Sequence, residues 1–176
     1  MKNYPRFVLL LSLLLLAMSA FAQNGSFYVK IKSAKQGDIT GDVIEKGKEG
    51  QIKALTYSHE ILSPRDAASG LASGKRQHKP FVITKELDKA STKLATALVN
   101  NENLTEVTLY YYRVSRAAGA TGMMPLFFTV KLTNASVVSI KTSVNAAGTP
   151  VEEIQFTYQK ITWTYADGNL IAEDNW

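Results

Sequence analysis

The chain has 176 residues, no cysteine, and 20 basic side chains against 15 acidic ones. This composition excludes disulfide stapling, a cysteine nucleophile and a lipid-modified N-terminal cysteine. The excess of positive charge is too small for a dedicated nucleic-acid binder, so no nucleic-acid partner is expected.

The chain opens with the three parts of a secretory signal peptide. Lys2 and Arg6 are basic, Phe7 to Met18 is apolar apart from Ser12, and Ala20-Phe21-Ala22 supplies a small-x-small cleavage pattern. Cleavage is expected between Ala22 and Gln23. The apolar run falls short of the roughly 20 residues a membrane helix needs, so no stable membrane insertion is expected after cleavage. The division is therefore a signal peptide at 1–22 and a single domain at 23–176. The mature domain keeps 18 basic and 15 acidic residues, a net charge of +3. A chain of its length buries roughly 68–70% of its unfolded surface.

Ser26 to Ser33 alternates, with Phe27, Val29 and Ile31 on one side and Tyr28, Lys30 and Lys32 on the other, which predicts a strand with one buried face. Ala34 to Gly50 is polar and glycine-rich and reads as a loop, with a short extended piece around Val43-Ile44. Gln51 to Leu62 reads as one strand, apolar on both faces and ended by Pro64. Ser63 to Gln77 reads as a long loop without structure, a length that is uncommon in a compact domain and often functional.

His78 to Thr84 reads as the next strand, with Pro80 marking its beginning or an edge. From Lys85 to Asn101 the period becomes helical, with Leu87, Leu94 and Leu98 on one stripe, Ser91 or Asp88 as cap and Asn100-Asn101 as the end. Leu104 to Val114 is a strand carrying Tyr110, Tyr111 and Tyr112. Leu126 to Thr142 gives one long bent strand or two short ones, and Asn145 to Pro150 turns the chain. Glu152 to Tyr165 changes phase: Ile154, Phe156 and Tyr158 are even, while Ile161, Trp163 and Tyr165 are odd. A bulge near Gln159-Lys160 or a crossing between sheets explains the change. Asp167-Gly168 is a turn, followed by a short tail. The fold class is mainly β, a two-sheet antiparallel β-barrel or sandwich with one flanking α-helix.

Catalysis finds no support in the residue pattern. A serine triad needs His59 or His78 as base, and the neighbouring Ser58 and His59 diverge on a strand. No nucleophile elbow, metal-ligand spacing, phosphate loop or dinucleotide fingerprint occurs, so catalytic residues, metal and cofactors are all expected to be none. His59 shares a face with Leu55, Tyr57 and Ile61 and reads as a structural or interface histidine, and neither histidine has a catalytic partner in the pattern. The strongest electrostatic feature is Lys75-Arg76-Gln77-His78-Lys79. It suits a solvated loop, a protein partner or a polyanion. The triple tyrosine suits a core or subunit interface better than a stacking platform.

Three blocks then carry a family resemblance: Ser63-Pro64-Arg65-Asp66-Ala67-Ala68-Ser69-Gly70, Gly74-Lys75-Arg76-Gln77-His78-Lys79-Pro80-Phe81, and Lys85-Glu86-Leu87-Asp88-Lys89-Ala90-Ser91. With Phe27 to Ile31, Asn134-Ala135 and Glu153 to Trp163, the sequence closely resembles the haemolysin-coregulated protein (Hcp) family, tube proteins of the type VI secretion system. The resemblance implies a barrel like that of phage tail tubes, homo-hexameric rings that stack, no catalytic residues, and effectors carried in the lumen. Its partners would be other copies of itself, secreted effectors and components of the secretion apparatus. It also implies ring-to-ring contact through Ser63 to Lys79.

The candidate contact residues are accordingly Ser63, Arg65, Asp66, Lys75, Arg76, His78 and Lys79, with Tyr110 and Tyr112 on strand faces. The signal peptide departs from the cytoplasmic assembly usual for the family and points to a periplasmic or secreted protein. The alternative is an exported binding module that keeps the fold without forming a tube and recognises a protein or an anionic surface polymer.

Overall fold

In the computed structural model, residues 25–115 and 123–175 are described. The signal segment and its cleavage point at Ala22 and Gln23 lie outside them. The expected first strand forms as β1 (Gly25–Ser33) and inserts Val29 and Ile31 into the core. Tyr28 points to the opposite face, where Lys48 and Glu45 cover it. The loop expected over 34–50 contains a short strand, β2 (Gly37–Ile39), which folds back on β1 and buries Ile39. A second backbone link, Gly50 N–H to the Val43 carbonyl at 2.8 Å, closes the rest of that loop. Gly41 sits so tightly against it that a Cβ there would lie 2.5 Å from the Gln51 carbonyl oxygen.

The strand expected over 51–62 divides. β3 (Ile52–Ser58) carries a register shift between Ala54 and Thr56. Ile52 and Ala54 face inward before the shift, and Tyr57 stacks on buried Phe81 after it. A separate β4 (Ile61–Leu62) pairs with β5 (Gln77–His78) as a two-stranded ribbon. The strand expected over 78–84 therefore also divides, at Pro80, whose missing N–H cannot continue a ladder. Beyond it β6 (Phe81–Glu86) buries Phe81 and Ile83 as the alternation requires.

The helix α1 spans Lys89–Val99, and Leu87 lies before it, 47% exposed. Asp88 is the cap and accepts from the Ala90 N–H, while the Ser91 hydroxyl accepts from the Asp88 N–H at 3.1 Å. This reciprocal box satisfies backbone donors that the first helical turn cannot pair internally. Ala90, Leu94 and Ala97 are buried in the barrel core.

β7 (Leu104–Arg113), β8 (Leu126–Val144) and β9 (Pro150–Tyr165) follow. The sheet runs β9-β6-β3-β1-β7-β8, and β8 pairs back onto β9, closing a six-stranded antiparallel barrel. Closure removes the open edges a two-sheet sandwich would keep.

The phase change expected in β9 is present: Tyr158 and Ile161 are both buried. Its partner strand changes phase at the same level, between Leu132 and Ala135, and the register is unbroken from Thr133↔Lys160 to Ala135↔Tyr158. Asn134, at φ 50°, supplies the pivot and its amide donates to Gln159 at 3.1 Å. The two strands thus turn together. The tail is a strand as well: after the turn at Gly168 (φ 75°), β10 (Leu170–Asn175) pairs with Lys160 to Tyr165.

Candidate functional site

The segment expected to be structureless is a folded hairpin. Beyond the β4–β5 ribbon, Arg65 bridges Ala72, and the Ser73 N–H reaches the Pro64 carbonyl at 3.0 Å. At the tip, Asp66 Oδ1 accepts from the Ser69 N–H and the Ser69 hydroxyl, each at 2.7 Å, and from the Ala68 N–H at 3.2 Å. Gly70, at φ 70°, completes the turn. A carboxylate side chain bonding backbone N–H groups a few residues ahead is the usual device that fixes such a tip. These bonds, the Ser69 hydroxyl first, hold the Asp66 carboxyl below the ordinary carboxylate range. Asp66 therefore shapes the tip, and Ser63, Arg65, Lys75 and Lys79 remain exposed along the hairpin.

The root of the hairpin is anchored in a polar cluster. His78, on β5, is buried, and its Nδ1 lies 2.8 Å from the Tyr158 hydroxyl of β9. The same hydroxyl lies 2.6 Å from Nε2 of His59, which stands between β3 and β4. His78 Nε2 lies 3.0 Å from Asp174 Oδ2 of β10. Asp174 also accepts both nitrogens of a bidentate Arg76 guanidinium, which donates further to the Asn175 carbonyl at 3.3 Å.

Both histidines thus bond a structural partner, which the residue pattern did not reveal. One tyrosine hydroxyl serves both, so with neutral rings it donates to one imidazole and accepts from the other. An ionised Asp174 accepts only, which places a proton on His78 Nε2; in the neutral form of that ring Nδ1 accepts the Tyr158 proton.

Burial and these charges set the titrations. The Arg76 guanidinium, hydrogen-bonded to Asp174, holds that carboxyl below the ordinary range. Burial, and then the charge on Asp174, pushes the Tyr158 phenol well above its ordinary value. Burial, and then the charge on His78, lowers the His59 pKa. The cluster contains no exposed nucleophile–base pair, and no group of three metal-ligating side chains occurs among the described residues. It holds the hairpin root to β9 and β10.

The tyrosines divide by face. Tyr111 stacks on Phe27 at 4.7 Å on the inner side, in phase with Val107 and Leu109. Tyr110 and Tyr112 lie on the other side. Lys48 sits 4.4 Å from the Tyr28 ring and 4.3 Å from the Tyr112 ring, and its ammonium pairs with Glu45 at 2.6 Å. Tyr112 is thereby partnered within the chain, and the Lys30 ammonium lies 6.0 Å from the Tyr110 ring. Sequence reasoning missed Tyr158 and Asp174. Their only signal was position: Tyr158 is the last inward residue before the phase change, and Asp174 lies in a tail read as unpaired.

The described residues form a closed barrel with a folded basic hairpin at one end. The family model described as "Type VI secretion system effector, Hcp" matches residues 28–165. The "Major exported protein" of Pseudomonas aeruginosa PAO1 is 38% identical, the match covering 85% of this chain and 94% of that protein. Among solved structures, a mutant Hcp1 protein from E. coli EAEC 042 is 32% identical with a TM-score of 0.77, covering 86% of this chain and 98% of that one. Secreted protein Hcp3 of Pseudomonas aeruginosa is 34% identical with a TM-score of 0.73, at the same coverage of 86% and 98%. The chain belongs to the Hcp family of type VI secretion tube proteins, whose role is structural and not enzymatic.

Proposed function

We propose that the mature chain, beginning at Gln23 after removal of residues 1–22, assembles into homo-hexameric rings that stack end to end and enclose effectors. The observation that carries the stacking reading is the hairpin at 63–76. It is folded at its tip by Asp66, anchored at its root by His78, Arg76 and Asp174, and exposed along nearly its whole length. A pre-ordered projection loses little conformational entropy when a partner covers it, which is the usual route to a strong contact from a small area. Ser63, Arg65, Lys75 and Lys79 supply its contact side chains, while Arg76, Asp66 and His78 hold its shape. Tyr110 belongs to the lateral contact between neighbours in a ring.

Export follows from the basic, apolar and small-residue segments at the N-terminus, and the name of the Pseudomonas relative accords with it. The protein then works in the periplasm or outside the cell. Electron microscopy of the purified mature chain is the test: rings and stacks of rings are expected. Replacing Lys75 and Lys79 by Glu should leave rings while removing stacks. Stacks that survive both substitutions would contradict the role of the hairpin.

A further inference from the structure

The barrel carries a groove of about 410 Å³ on the outer face of β3. Leu55 and Leu87 line it, 38% and 47% exposed, and Ile44 stands on its rim almost wholly in solvent at 92%. Four carboxylates border this apolar floor, from Asp42, Glu45, Glu86 and Asp88, against the single cation of Lys53. Glu45 and Asp88 already pair with Lys48 and Lys85. Asp42 is only 3.8 Å from Lys89 at an exposed site, and Glu86 enters none of the ion pairs found among the described residues. The rim is held rigidly by Lys48, wedged between Tyr28 and Tyr112.

Topology places this groove opposite the hairpin. β3 and β6 are antiparallel neighbours. Lys53 and Glu86 lie at one end of this strand pair and Leu55 midway along β3, while Ser58 and Phe81 lie at the other end, from which the hairpin departs. The ends are separated by about 17 Å of strand, and each arm of the hairpin is about 23 Å long when extended. The hairpin offers the complementary surface: Leu71 at its tip, 69% exposed, with Lys75 and Lys79 along one arm.

We propose that this groove is the receiving surface for the hairpin of a second copy of the chain, Leu71 packing on Leu55, Leu87 and Ile44 while Lys75 faces Glu86 and Asp42. The inference rests on the stacking reading above and names its other half. A contact between different patches at opposite ends of a ladder is heterologous. Repeated along the strand direction, it propagates an open stack and does not close on itself.

The absence of native cysteine permits a direct test on the mature chain. A double variant, Ile44→Cys with Leu71→Cys, alters two exposed side chains and no core position. Mild oxidation of stacked assemblies should give a ladder of covalent dimers, trimers and higher species on a non-reducing gel. Glu86→Lys should reduce the stacked fraction severalfold, and adding Lys75→Glu to it should recover most of the loss. Visible stacks that yield only monomers on the gel, and that are indifferent to Glu86→Lys, overturn the groove and leave stacking through the hairpin standing. A wild-type chain that forms no stacks overturns both.

Discussion

At the scale of single residues, the Tyr158 hydroxyl connects four segments far apart in the chain. It bonds His59 and His78 directly and, through His78, reaches Asp174 and Arg76. Replacing it with Phe removes the hydroxyl that both imidazoles bond. The expected cost is about 1–3 kcal/mol, read as a lower urea midpoint with an unchanged slope.

His59 also makes stability depend on pH. Its pKa is lowered by burial and then by the charge of His78, so the folded protein favours the neutral ring. The unfolded chain takes up this proton near pH 6.5. The contribution of His59 is therefore complete above about pH 6.5 and declines as the pH falls below it. Urea midpoints measured from pH 8 to pH 5 should fall on the acidic side, and His59→Gln should flatten part of that fall. An acid slope unchanged in the variant would contradict the assignment. This cluster was illegible in the sequence because its members are numbered 59, 78, 158 and 174, and no periodic pattern relates them.

At the scale of elements, α1 is held by its first turn as much as by its apolar face. The Lys85 ammonium is fully buried and donates to Asp88 at 2.6 Å, and it also pairs with Glu152 at 2.8 Å. Asp88→Ala removes the helix cap and one of those two anions. A loss of about 1–2 kcal/mol follows from the cap, measurable by chemical denaturation. Leu94→Ala, in the middle of the buried face, should cost about 2–5 kcal/mol.

The hairpin depends on Asp174 in a different way. Asp174→Ala should leave the barrel folded while amide hydrogen exchange in residues 63–78 accelerates, since both Arg76 and His78 lose their carboxylate. Exchange there as slow as in the unaltered chain would show that β4 and β5 alone hold the root.

Strand and helix identities were legible wherever a local period decided them, as in β1, β7 and α1. The Asp88 cap and Asn100 end of α1 were legible for the same reason. β3 and β5 were read too long because the breaks at Ser58 and Pro80 are set by the ribbon that pairs between them. β10 was missed because Leu170 to Asn175 is short, largely exposed and without alternation, and only its pairing to β9 makes it a strand.

At the scale of the molecule, six strands close because β8 and β9 are long enough to pair throughout and still turn together at Asn134. The phase change in β9 was visible in the sequence. That β8 changes with it was not, since this depends on register across the ladder. Closure leaves the outer strand faces, the hairpin and the groove at the far end of the β3–β6 ladder as the surfaces available to other copies. The family places the chain among tube proteins.

The measurement that bears most directly on this account is the mass of the purified mature chain, residues 23–176, in solution. Sedimentation velocity across micromolar concentrations should show a six-chain species, with larger species at the upper end as rings stack. Only monomers over that whole range would contradict it.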